Sequence, residues 1–234
     1  MGKQLDIGGI LGEMQALVQD NLREVLIFSG AVGGLAAVGV ITGMTVSTAE
    51  SLGFGAEVST AASLGNSGFD LLVSIATLVG MYWLTKTFLA SRNRIVKQEN
   101  RFWLYLGMTI LSTIGLIIGF ILLIIPGIIL AVRWSAAGGF LVSGREGVID
   151  SLKASWEATR GNGLTIFLAG LVLFIVLVLI IGIITGVISF VNVTLGGIVG
   201  SLLEAFTNAI MPAFGVAIYC LMRNDGEQLE EVFS

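Results

Sequence analysis

The chain has 234 residues, of which 55% are hydrophobic and 12% charged, with a formal net charge of −4 at neutral pH. Soluble domains carry about 25% charged residues, so half that share excludes an ordinary water-soluble fold and places the chain in the membrane class. The acidic balance argues against nucleic acid as a partner, and the lack of any histidine excludes an imidazole base or a histidine-ligated metal.

Residues 5–22 read as an amphipathic helix. Ile10, Leu11, Met14, Leu17, Val18 and Leu22 recur at helical spacing, with Glu13 and Asp20 opposite. Acidic residues weaken attraction to anionic headgroups, so this helix is expected to pack under a bundle rather than anchor alone. The first span follows at about 25–46, long enough as a helix to cross the hydrocarbon core and too long for a signal-peptide core. Residues 47–70 read as a small, polar loop containing Gly53, Gly55, Gly65 and Gly68, with a short surface helix expected near Glu57–Ala62.

The second span is expected at about 71–90, ending in Lys86, Arg92, Arg94, Lys97 and Arg101. A third, about 104–125, stops at the helix break Pro126–Gly127. The run 127–143 then returns as a fourth span. A tight hairpin competes here with one kinked span plus a re-entrant piece; charge parity favours the hairpin, because the gaps on either side of 104–143 are both basic. Residues 144–161 read as an interfacial helix. Ser143 and Glu146 suit a capping box, and Gly161–Asn162 suits its end. Spans at about 164–190 and 198–222 follow, the last interrupted by a second helix break at Pro212. An acidic tail, 224–234, closes the chain.

Lys and Arg occupy every second gap between these runs. Residues 47–70 hold Glu50, Glu57 and Asp70 but no basic residue, and 191–197 hold no charge, whereas 91–103, 144–163 and both chain ends carry Lys or Arg. Cationic loops stay in the cytoplasm, so both termini are expected there. Trp83, Trp103, Tyr105, Trp156 and Tyr219 fall near the same boundary, where amphipathic rings prefer to sit.

Two charges fall inside spans, Arg133 and Glu204, and each is expensive in hydrocarbon without a partner. Counted from Pro126 and from Gly197, they lie at equal depth, which predicts that they face each other. A structural ion pair, a polar-substrate or headgroup site, and a snorkelling Arg133 are the competing accounts. Glu204, Asn208 and Pro212 share one helix face, and Pro212 deprives the Asn208 carbonyl of its helical donor. A broken helix beside an acid is also how ion-coupled transporters build sites. Small-residue pairs at Gly30/Gly34, Gly39/Gly43, Gly115/Gly119, Gly182/Gly186 and Gly196/Gly200 are expected to allow close helix packing. Cys220 reads as a packing residue, and Ser151 and Ser155 have no base to activate them.

The stretch Ile125–Asn162, IPGIILAVRWSAAGGFLVSGREGVIDSLKASWEATRGN, resembles the membrane domain found fused to some bacterial glycerophosphodiester phosphodiesterases and in stand-alone relatives. The shared features are Pro126–Gly127, Arg133–Trp134, Glu146–Gly147 and the helix Ser151–Asn162; the family's proline after Arg-Trp is absent. The resemblance implies a bacterial inner (cytoplasmic) membrane protein but no hydrolase activity, since the hydrolase is a separate soluble domain. It also points to Arg160 and Lys153 as candidate lipid-headgroup contacts.

The sequence thus predicts an all-α, polytopic membrane helical bundle: one integral membrane domain over 1–234, with six transmembrane helices and amphipathic interfacial helices. The expected role is non-enzymatic and cofactor-free, lipid-associated or a scaffold for envelope partners. The alternative is a small transporter or lipid-handling protein using an intramembrane polar site of Arg133, Glu204 and Asn208. Membrane lipids are the expected partners, with a homo-oligomer or another membrane protein second.

Overall fold

The computed structural model describes residues 5–44, 63–97, 99–144 and 146–223. Helices follow one another through them: α1 (Ile7–Asp20), α2 (Leu22–Thr42), α3 (Ser63–Ser91), α4 (Phe102–Leu122), α5 (Ile124–Trp134), α6 (Ala137–Val142), α7 (Val148–Ala158), α8 (Gly163–Val191) and α9 (Val193–Met222). No strand occurs among the described residues. Six segments are long and apolar enough to cross a membrane: α2, Gly68–Ser91 of α3, α4, α5 with α6, α8 and α9. A helix satisfies its own backbone, which hydrocarbon demands. Ile121, Leu122, Ile183, Val187 and Phe190 stand exposed, an apolar surface suited to lipid rather than water. The all-α, six-span architecture expected from the sequence is therefore the one observed.

Several boundaries differ from expectation. Residues 63–70, read as loop, form the start of α3. Glycine costs a helix about 1 kcal/mol per residue, which extending a long hydrogen-bond ladder outweighs at Gly65 and Gly68. The surface helix expected near Glu57–Ala62 and the acidic tail 224–234 lie outside the described residues. The uncharged gap 191–197 shrinks to Asn192, whose side-chain oxygen accepts from Leu195 N–H at 3.0 Å and so starts α9. The break near Pro126 falls at Leu123, which is extended. Pro126 sits in the first turn of α5, where its missing N–H is not needed.

The expected capping box does not form. Ser143 is buried and donates to the Phe140 carbonyl, while Gly147 caps α7 without a side-chain bond. Between them the chain turns at Gly144 with φ +93°, and a Cβ there would stand 2.8 Å from the Lys97 Cβ. That turn separates Ser143 from the helix it was expected to cap.

The chain packs as two compact units. The first contains α1, Tyr82–Ser91 of α3, α4 to α7, α8 through Leu173 and α9 from Met211. Its core includes Leu17, Leu84, Phe88, Leu141, Ile166 and Tyr219. Here α4 and α5 form an antiparallel hairpin: Gly119 meets Gly127 and Leu130, and Gly115 meets the Trp134 ring. Helix α1 is fastened within this unit. Arg92 bonds Glu13 and Asp20, each at 2.7 Å; Asn21 donates to Ser91; and Leu5 N–H donates to the Asn162 side chain at 2.9 Å.

The second unit contains α2, α3 through Met81, α8 from Phe174 and α9 through Ile210. Val25, Phe28, Val32, Ala205 and Ala209 are buried in it. Glycine sets its closest approaches: Gly33 lies against the backbone at Ser201 and Leu202, Gly80 against the Phe28 ring, and Gly196 against Ser189. Of the predicted glycine pairs, Gly196/Gly200 and Gly115/Gly119 face other segments, whereas a Cβ on Gly30, Gly34, Gly182 or Gly186 would meet nothing.

Candidate functional site

The second unit encloses a cleft of about 440 Å³. Two of its walls are polar stripes on otherwise apolar helices. Asp70, Ser74 and Thr77 recur at helical spacing along α3, and Ser201, Glu204 and Asn208 do so along α9. The third wall, from α2, is apolar: Val32, Ala36 and Val40. Asp70 and Glu204 are both exposed to the cleft, and among the described residues no Lys or Arg lines it.

Two of the three hydroxyls lining this cleft, those of Thr77 and Ser201 but not Ser74, are already committed as donors. Thr77 Oγ1 donates to the Val73 carbonyl at 2.8 Å, and Ser201 Oγ donates to the Gly197 carbonyl at 2.9 Å. Each hydroxyl has one proton and two lone pairs, so what remains available on these two is acceptor capacity. Thr207, next to Asn208, also donates into its own helix, to the Leu203 carbonyl at 3.0 Å. Helix α9 continues through Pro212, which supplies no N–H to the Asn208 carbonyl.

Arg133 has a different setting. It stands in the last turn of α5, in the first unit. Its guanidinium lies over the Trp156 ring, 5.6 Å from the centroid, and Nη1 is 3.5 Å from Thr159 Oγ1. A cation over an indole face is stabilised by the ring quadrupole. Glu204 lines the cleft of the second unit. The helices also start earlier than the sequence suggested, α5 at Ile124 and α9 at Val193. Glu204 and Asn208 do come together, as expected, and their additional carboxylate is Asp70.

Asp70 was missed because it was assigned to the end of a loop. The signal that finds it is the spacing of Asp70, Ser74 and Thr77, a polar stripe on a helix otherwise apolar enough to span. Lys153 and Arg160, the candidate headgroup contacts, are both exposed. Lys153 lines a separate groove of about 290 Å³ on α7 with Trp134, Ile149, Leu152, Trp156 and Glu157; Arg160 occupies the turn that follows. Among the described residues, no group of three or more Cys, Asp and Glu comes together to hold a metal ion.

Six apolar spans make this a multi-pass helical membrane protein, with a polar cleft between three of its helices. No protein-family model, curated protein or solved structure matches the chain.

Proposed function

We propose that the chain is a small solute-translocating membrane protein whose binding site is the cleft of Asp70, Glu204 and Asn208. One observation carries this reading: two spanning helices turn their polar side chains toward one shared space of about 440 Å³. That volume falls within the range of roughly 300–1,000 Å³ typical of small-molecule sites. Ionisable groups within spans are costly and are found where they serve a pathway or a ligand. The proline inside α9 adds a second feature common to transporter binding sites.

The test uses the full chain in proteoliposomes on a solid-supported membrane, challenged with rapid jumps of amine, amino acid, sugar and organic-acid solutes. A current with one class, lost in Glu204→Gln and Asn208→Ala proteins of unchanged helicity, supports translocation. Silence with every class from folded protein overturns it.

The orientation we favour keeps both termini in the cytoplasm, on the basic residues of 91–103 and 144–163. A bacterial inner-membrane location rests on the likeness of Ile125–Asn162 to the phosphodiesterase-associated membrane domain. An Asn192→Cys variant lacking Cys220 should react with an impermeant maleimide applied outside intact cells. Reaction only after lysis would reverse the orientation.

A lipid-associated role is the second reading. It is favoured by the almost wholly apolar groove on α7, with Lys153 at its edge and Arg133 stacked over Trp156. Retention of an anionic phospholipid in native mass spectra, reduced by Lys153→Ala, would support it. Equal retention by the variant would count against it.

A further inference from the structure

We propose that the cleft selects a small organic cation carrying ammonium or guanidinium N–H donors. This rests on the reading of the cleft as the solute site and adds the chemistry of the solute. The described walls carry two carboxylates, Asp70 and Glu204, and no basic side chain. An anionic solute would be repelled by both, and that repulsion is strengthened wherever water is excluded.

Hydrogen bonding points to the same class. Thr77 and Ser201 spend their hydroxyl protons on the carbonyls of Val73 and Gly197. Toward the cleft they offer lone pairs, which suit a donor-rich cation. A polyhydroxylated neutral solute also needs donors, and along the described walls only the Asn208 amide and the Ser74 hydroxyl remain to supply them.

Size and shape suit an organic solute better than a bare ion. A volume of about 440 Å³ leaves room for a carbon skeleton, and Val32, Ala36 and Val40 provide the apolar wall it would lie against. The geometry therefore fits an aliphatic amine or diamine: nitrogen toward Asp70 and Glu204, carbon toward α2. Charge-assisted bonds of this kind are about twice as strong as neutral ones.

The experiment is calorimetric titration of the full chain in nanodiscs with putrescine, agmatine, glucose and succinate. Putrescine or agmatine should bind, with affinity falling at least about tenfold in Asp70→Asn and in Glu204→Gln, as expected for losing a charged partner. Glucose and succinate should give no heat beyond dilution. Both substitutions are isosteric; thermal melts confirm folding, and Ala36→Leu, which fills the cleft while leaving both carboxylates, should also weaken binding.

Undiminished amine binding in the folded double variant overturns the inference. So does binding or current with glucose or succinate but not with amines, an outcome that leaves the solute-site reading standing. Absence of both binding and current with every solute overturns the two together.

Discussion

The Ser155 hydroxyl donates a 2.6 Å hydrogen bond to the carbonyl of Arg133, tying α7 to the end of α5. Carbonyls in the last turn of a helix have no internal donor, and Ser155, fully buried, supplies one. Ser155→Ala should cost about 1–3 kcal/mol, the penalty for orphaning a buried acceptor. Ser151 is the matched control: it is equally buried but donates to Val148 in its own helix. Ser151→Ala should shift the unfolding midpoint in detergent far less. Equal shifts would show that the α5–α7 bond contributes nothing.

Gly33 has no room for a side chain. A Cβ there would stand 2.8 Å from the Leu202 Cα and 3.0 Å from the Ser201 carbonyl oxygen. Both neighbours are backbone, so neither yields by a rotamer change. Gly33→Ala should destabilise by about 1–3 kcal/mol, and it should disturb the cleft wall that Ser201 and Glu204 form. Gly30→Ala, which meets open space, should leave the melting temperature within a degree or so or raise it slightly. A melt that ranks the two the other way would remove Gly33 as the contact point.

Arg92 holds α1 through two acids on one helical face, two turns apart, Glu13 at Nε and Asp20 at Nη1. Burial alone would lower its pKa; the bonds to Asp20 and Glu13 outweigh that and hold it above the ordinary arginine value. A raised pKa means the arginine's contribution is fully present below the ordinary value and is lost only as pH climbs past the raised one. Arginine ionisation should therefore leave the clasp unchanged across the near-neutral range. Arg92→Ala should expose the segment 5–21 to protease, and Arg92→Lys, which lacks the two-pronged geometry, should restore only part of the protection. Unchanged cleavage in Arg92→Ala would mean that the apolar face of α1 suffices.

Arg101 is a tie between segments rather than a loop charge. Its Nη1 donates to the carbonyls of Leu141 at 3.1 Å and Glu146 at 2.7 Å, and its N–H donates to the Tyr82 hydroxyl at 2.9 Å. Bonds from a charged donor contribute about 1.5–3 kcal/mol. Arg101→Met should lower the unfolding midpoint accordingly, and Tyr82→Phe by less, since it removes only neutral bonds, the one accepted from the Arg101 N–H and a long one donated to Asn100 at 3.4 Å. A midpoint unmoved by Arg101→Met would reduce this residue to a topological charge.

The span pattern was legible because hydrocarbon imposes it: apolar runs have to cross, and charges collect where they stop. The polar site was half legible. Glu204 and Asn208 stood out as rare groups inside a run that plainly spans. Asp70 did not, because glycine and serine around it resemble a loop, and composition says nothing about how far a helix extends past the membrane edge. The expected Arg133–Glu204 pairing rested on weaker ground. It relied on counting residues from helix starts, and Leu123 and Asn192 moved both starts. What Arg133 does depends on Trp156, Thr159 and Ser155, far along the chain, and no local spacing encodes that meeting. The basic gap 91–103 carried a topological signal that hid two structural roles, those of Arg92 and Arg101.

Asn192 alone joins α8 to α9, with its own N–H bonded to Ile188 and its carbonyl accepting from Gly196. A joint with no slack bears on biogenesis. Neither arm of 163–222 has enough tether to enter the bilayer and wait for the other, so the insertion machinery has to release both as one folded-back pair. Lengthening that joint with a flexible insert would uncouple the two events, leaving α9 and its Glu204 to enter the bilayer apart from α8.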